Sequence, residues 1–140
     1  MGKQIYINLP VSNLSESTMF YQELGFTKNP AFSNENASCM KWSDEIVVML
    51  LVHNFYKTFL TDKEIADTKL TNGVLLALTM ESKEAVQQFA ETAKQNGGDF
   101  YQVSSVIPAE LMFVYDVQDL DGHLWEPIWM SPEFMPQHEA

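Results

Sequence analysis

The stretch NLPVSNLSESTMFYQELGF, residues 8–26, carries the pattern that decides the fold. It begins inside a run of apolar and β-branched residues, which predicts a buried strand over residues 4–11. Asn13 or Ser15 is then placed to cap a helix, because a short polar side chain can accept a hydrogen bond from the first unpaired amides. Gly25 is well placed to end that helix. The stretch therefore predicts a strand followed directly by a helix.

The same order of elements starts again at residue 73. The run GVLLALTM predicts a buried strand, and SKEAVQQFAETAKQNGG predicts a helix capped by Ser82 and ended by Gly97. Three further strands complete each half: 26–33, 37–42 and 45–52 in the first, and 100–104, 111–118 and 123–130 in the second. The chain therefore repeats the order βαβββ.

This repeat predicts the domain organisation. A chain of 140 residues is the usual size of one domain. We divide it into a first module at about 1–52, a connector at 53–72, a second module at about 73–130 and a tail at 131–140. The expected fold is α+β, with two βαβββ modules whose curled mixed sheets enclose a cavity and whose helices lie outside.

Charge and composition exclude several partners. The chain has 19 acidic residues, 8 lysines and no arginine, for a formal charge of −11. Nucleic acids and anionic membranes need a basic surface, and the sequence shows no lysine cluster. No apolar run is long enough to span a membrane, and residues 1–10 do not resemble a signal peptide, so we expect a cytoplasmic protein. Cys39 is the single cysteine, which excludes an internal disulfide.

Two motifs resemble a known superfamily. The stretch at 8–26 resembles the opening strand and helix of the glyoxalase I / bleomycin resistance / extradiol dioxygenase (vicinal oxygen chelate) proteins. DLDGHLWE, residues 119–126, resembles their closing D-P-D-G-x-x-x-E element. Together with the repeat, the resemblance covers nearly the whole chain. NLPV and MLLVHNFYKTF are most similar to the small lactoylglutathione lyase-like proteins. The resemblance also implies a homodimer.

The resemblance implies a divalent metal, Zn, Ni, Fe or Mn, held by one His, Gln or Glu from each of four strands. Those positions fall at Tyr6, Leu50, Val74 and Glu126 in this chain. Glu126 is the only one of the four with a usual ligand side chain. The other three positions lack a usual ligand side chain, so the resemblance implies that the metal-ligand set is incomplete in this chain. If a metal is bound, Glu126 with His53 is the set to consider.

A few polar residues in the strands are candidates for a ligand-binding cavity. Tyr6 and Asn8 share one face of the first strand, Glu126 lies in the last strand, and Tyr115 lies in the strand before it. Their hydroxyl, amide and carboxylate groups suit a small polar ligand that carries a donor or an amine. Burial would raise the pKa of Glu126 and suit it to be a general base, or Glu126 only orders the cavity. His123 is expected to belong to the turn.

The connector contributes aromatic residues, among them Phe55 and Tyr56. They either cover a bound ligand at the mouth of the cavity or form a dimer contact. A short helix is expected at Asp62–Ala66.

The sequence leaves three functions open. The first is a small-molecule-binding protein comparable to the drug-sequestering members of the superfamily, with no conventional metal site. The alternative is a metal-dependent enzyme, a lactoylglutathione lyase-like isomerising lyase or a dioxygenase, that uses Glu126 with His53. The third is a purely structural domain, which the polar residues in the cavity strands disfavour.

Overall fold

The computed structural model describes residues 2–103 and 105–134, which form two compact units. Unit 1 comprises the chain up to residue 72 together with residues 120–123. Unit 2 comprises the described residues within 73–119 and 124–134. Residues 135–140, most of the expected tail, lie outside the described residues.

Both units contain the expected order of elements. Unit 1 consists of β1 (Ile5–Val11), α1 (Leu14–Glu23), β2 (Thr27–Lys28), a 3₁₀ turn (Pro30–Phe32), β3 (Ala37–Lys41), β4 (Ile46–Val52) and α2 (His53–Lys57). Unit 2 consists of β5 (Leu75–Thr79), α3 (Lys83–Gln95), β6 (Asp99–Gln102), β7 (Met112–Gln118) and β8 (Leu124–Met130). None of these helices is long and apolar enough to cross a bilayer.

The two sheets have the same topology. The strand orders are β1-β4-β3-β2 and β5-β8-β7-β6. In each sheet the first strand pairs in parallel with the last, and the remaining pairs are antiparallel. The α+β class and the repeated βαβββ order are thus confirmed. Each sheet is open, with β1 and β2 or β5 and β6 at its edges, so an enclosed cavity stays a prediction.

Helix α1 begins and ends where the sequence predicted. The side chain of Asn13 accepts a hydrogen bond from the Glu16 amide at 3.0 Å. Gly25 follows the helix at a φ of 108°, a backbone region that favours glycine. The hydroxyls of Thr18 on α1 and Ser38 on β3 lie 2.7 Å apart and are buried. This contact shows that α1 covers the face of the first sheet that carries Ser38.

Helix α3 covers one face of the second sheet. The Nζ of Lys83 lies 5.3 Å from the ring centroid of Trp129 and 6.0 Å from the ring centroid of Phe113. The Nζ of Lys94 lies 5.6 Å from the ring centroid of Phe100. Since side chains alternate along a strand, these rings mark the α3-covered face of β6, β7 and β8. The opposite side is called the uncovered face of this sheet below.

Two local expectations from the sequence are wrong. The helix expected at Asp62–Ala66 is absent, and the helix in the connector is α2, at His53–Lys57. Residues 61–64 are exposed, so a helix of one turn there would gain no packing to offset its nucleation cost. The strand expected at 26–33 stops after Thr27–Lys28, because Asn29 caps the 3₁₀ turn and proline lacks an N–H.

The turn at residues 120–123 is fixed by three hydrogen bonds within unit 1. The Asp121 carboxylate accepts one from the Ser12 amide at 2.9 Å. The Asp121 carbonyl accepts one from the Thr68 hydroxyl at 2.6 Å. The His123 Nε2 lies 2.8 Å from the carbonyl of Pro10, and the side chain is buried. The prediction that His123 belongs to the turn is therefore confirmed.

Replacing Gly122 by alanine should destabilise the protein. Gly122 has a φ of 90°, and a Cβ there would lie 2.4 Å from the carbonyl oxygen of Thr68, closer than such atoms can approach. We expect a loss of roughly 1–3 kcal/mol in the free energy of unfolding, measured by urea denaturation. Gly73→Ala is the control, since its Cβ would meet nothing within 4 Å. Equal stabilities for the two variants would contradict this account of the turn.

Candidate functional site

The last two strands bring two carboxyl groups together. Glu126 pairs with Ala77 of β5. Strands β7 and β8 keep one register along their length, with Val117 opposite Trp125, so Asp116 lies opposite Glu126. Asp116 and Glu126 are called the carboxyl pair below.

The carboxyl pair lies on the uncovered face of its sheet. Trp125 and Trp129, one and three residues away from Glu126, mark the α3-covered face, and an odd offset along a strand reverses the side. Both members of the pair are half-buried.

The β7–β8 ladder is interrupted beside the carboxyl pair. Partners are paired up to Val114–Ile128 and again from Val117–Trp125, and the gap between them includes both the carboxyl pair and the position of Pro127. Proline has no N–H to donate, so it removes a bond from the ladder.

Burial raises the pKa of the Glu126 carboxyl to about 7, and the adjacent Asp116 carboxyl acts in the same direction. Two carboxylates this close repel each other, so the pair favours holding one proton. Oδ1 of Asp116 is buried and has no hydrogen-bond partner among the described residues. The pair can therefore exchange a proton near neutral pH or accept a cation in its place.

Tyr6 and Asn8 lie on the face of the first sheet that α1 does not cover. Their partners in β4 are Val47 and Met49. Tyr6 is 50% exposed, so its hydroxyl is available to a ligand. Both residues belong to unit 1, and their convergence with Glu126 stays a prediction.

Tyr115 does not share the face of Glu126. Its ring stacks on Phe100, with centroids 5.4 Å apart, and contacts Phe113 at 5.3 Å. These rings lie on the α3-covered face. The prediction that Tyr115 converges with Glu126 is therefore wrong, because the register places Asp116, the next residue, opposite Glu126.

Asp116 is the residue that the sequence reasoning missed. The available signal was a carboxylate in the middle of the otherwise apolar strand MFVYDVQ, the same signal that singled out Glu126.

Two of the mapped metal positions face the wrong way. Leu50 pairs with Leu9, lies on the α1-covered face and is fully buried. Val74 is the residue before β5. The first residue of β5, Leu75, lies on the same face of the sheet as Glu126. A shift of one residue gives Met49 and Leu75, neither of which suits a hard divalent cation.

The residues present do not fit the four-ligand metal centre that the resemblance implies. Beyond the carboxyl pair, the corresponding positions carry a tyrosine and apolar side chains. Within residues 2–103 and 105–134, no group of three or more His, Cys, Asp or Glu side chains is placed to hold an ion.

His53 and its neighbours form the start of the connector. His53 is the first residue of α2 and is exposed. The rings of Phe55 and Phe59 meet edge to face at 5.2 Å, and Phe59 is 67% exposed. Phe55 and Tyr56 are half-buried, so their roles as a cover or a dimer contact stay predictions, as does the pairing of His53 with Glu126.

This chain is similar in fold to several proteins of known structure. A hypothetical protein from S. aureus superposes with a TM-score of 0.72 at 23% identity, over 93% of this chain and 94% of that one. A glyoxalase/bleomycin resistance protein/dioxygenase family enzyme from Burkholderia phytofirmans superposes with a TM-score of 0.73 at 14% identity, over 93% and 100%. The chain has the glyoxalase/bleomycin resistance/dioxygenase fold. This confirms the fold that the two sequence motifs predicted.

A bleomycin-binding protein in complex with bleomycin shares the fold as well. Its TM-score is 0.61 at 17% identity, over 93% of this chain and 100% of that one. No family model matches the chain, and no curated protein matches it.

The raised pKa of Glu126 has a measurable consequence for stability. The folded state binds the proton more tightly than the unfolded chain, so between pH 4.5 and about 7 the contribution of Glu126 to stability falls as the pH rises. Glu126→Gln should remove this slope. In ¹³C NMR the Glu126 carboxyl should titrate near pH 7, and Asp116→Asn should lower that midpoint. A wild-type midpoint near 4.5 would contradict the proposed coupling.

Metal content tests the fit of the four-ligand centre. Protein purified without a chelator should contain Zn, Ni, Fe or Mn well below one ion per chain by elemental mass spectrometry, because the mapped positions lack ligand side chains. Glu126→Gln should have the same content. Near-stoichiometric metal in the wild type that is lost in Glu126→Gln would overturn this account.

Proposed function

We propose that this protein is a small-molecule-binding member of the glyoxalase/bleomycin resistance/dioxygenase superfamily and that its ligand carries an amine. The observation that carries this proposal is the carboxyl pair on the uncovered face of the second sheet. A cation can replace the proton that the two carboxyls hold and relieve their mutual repulsion.

The surroundings of the carboxyl pair suit a ligand with an apolar body. The apolar residues on the same face are Leu75, Met112, Val114, Ile128 and Met130. Binding sites for small molecules combine such a surface with a few polar groups, and methionine adapts its shape to different ligands. The formal charge of −11 adds a long-range attraction for cations.

The bleomycin complex of a bleomycin-binding protein with the same fold supports small-molecule binding as a use of this architecture. Drug-like molecules with an aromatic ring and a protonated alkyl amine are therefore the class of ligand to test first.

A second candidate is an isomerising enzyme of the lactoylglutathione lyase-like type. A carboxylate with a pKa near 7 is suited to act as a general base at neutral pH, and Glu126 meets that condition. In this candidate Glu126 takes a proton from the substrate and Asp116 tunes its pKa.

We also propose a homodimer and a cytoplasmic location. The edge strands β1 and β5 carry exposed apolar residues, including Ile5 and Leu75, which suit a contact between two chains. Cys39 is a free, buried thiol, as is common in a reducing compartment.

Calorimetric titration tests the amine proposal. We expect at least one member of a panel of aromatic compounds that carry an alkyl ammonium group to bind more tightly than its neutral alcohol analogue. Since the amine displaces a proton held with a pKa of about 7, its affinity should rise about tenfold from pH 6 to pH 8.

Variants locate the site. Asp116→Asn with Glu126→Gln should abolish the preference for the amine. Glu84→Gln with Glu91→Gln also removes two carboxyl groups, at exposed positions of α3, and should leave binding unchanged. The proposal fails if no amine binds more tightly than its alcohol, or if both double variants lose binding equally.

A further inference from the structure

A cavity of about 790 Å³ opens in unit 1 and is lined by residues of that unit. One wall is the part of the connector that spans residues 63–69, and another includes His53 and Lys57 of α2. The end of β1 and the turn at Asp121 complete the lining. Its volume lies within the range of pockets that hold small molecules.

Three lysines line this cavity. They are Lys57, Lys63 and Lys69, out of 8 lysines in a chain without arginine. The sequence shows no basic cluster because the three are spaced six residues apart along the connector. The fold brings the three positions to the lining of one cavity, which their spacing in the sequence does not indicate.

These three ammonium groups form no ion pair among the described residues. The salt bridges among the described residues are Lys41–Asp44 and Lys94–Asp99, and neither involves these three lysines. Like charges that line one cavity repel each other, and an anion bound among them would relieve that repulsion.

Three acidic residues also line the cavity, and backbone amides orient two of them without removing their charge. Oδ1 of Asp121 accepts a hydrogen bond from the Ser12 amide, and Oδ1 of Asp67 accepts one from the Lys69 amide at 3.2 Å. Glu64 is the third acidic residue of the lining.

The connector wall is anchored. The Thr68 hydroxyl donates to the Asp121 carbonyl at 2.6 Å. The amides of Leu70 and Thr71 donate to the Asp67 carbonyl at 3.1 and 2.9 Å. Lys69 therefore extends from a segment whose backbone is held in place, which lowers the entropic cost of directing its charge toward a ligand.

We propose that this cavity binds a small molecule that carries a phosphate group, through the ammonium groups of Lys57, Lys63 and Lys69. A phosphate monoester is close to a dianion at neutral pH, and several compact point charges match it better than they match a single carboxylate. The site is independent of the carboxyl pair, which selects the opposite charge.

Isothermal titration with adenosine monophosphate, inorganic phosphate and adenosine tests this proposal. We expect adenosine monophosphate to bind and adenosine not to bind, and we expect the affinity to fall as salt is added. Inorganic phosphate binding as tightly as the nucleotide would assign the site to the phosphate group alone, which also supports the proposal.

Two double variants locate the site. Lys63→Gln with Lys69→Gln should weaken binding at least about tenfold, because two of three charges around the phosphate are lost. Lys3→Gln with Lys28→Gln changes the net charge equally at exposed positions outside the cavity and should leave the affinity within about twofold, since distant exposed charges are screened. The positions in both variants are exposed, so folding should be retained. Absence of binding by the wild type, or equal losses in the two variants, would overturn the proposal.

Discussion

The close approach of the Thr68 carbonyl to Gly122 is the constraint on which much of unit 1 depends. A side chain at residue 122 would occupy the position of that carbonyl. Because this space is free, the Thr68 hydroxyl donates a hydrogen bond to the Asp121 carbonyl, and the Asp121 carboxylate accepts one from the Ser12 amide just before α1. The ring of His123 contacts the Pro10 carbonyl near the end of β1. The turn therefore holds the connector at Thr68, next to Lys69, and its Asp121 adds a carboxylate to the lining of the cavity.

The second sheet depends on register. Only one alignment of β7 and β8 places Asp116 opposite Glu126, and a shift by one residue would exchange it for Tyr115. The register is held by apolar residues on the α3-covered face, where Val117 and Trp125 are buried. Packing on one side of the sheet thus sets the electrostatics of the other side, and it accounts for two acidic groups being kept close in spite of their repulsion.

The fold was largely predictable from sequence because its signals are local. Asn13, Ser82 and the two glycines that end α1 and α3 mark the helices through interactions within a few residues. The site was predictable only in part, since Glu126 is visible as a charge in an apolar strand but its partner follows from the pairing of two strands. The lysine cavity was not predictable, because it depends on how the connector, read as polar and irregular, turns back along the end of β1.

Pro127 gives the carboxyl pair a mechanical property besides its charge. The ladder between β7 and β8 already lacks pairing there. A ligand that pushes the two carboxyls apart therefore has fewer backbone hydrogen bonds to break than it would elsewhere along these strands. The gap in this ladder therefore coincides with the point where the two acidic side chains face each other, while β5 continues to pair with β8 beside it.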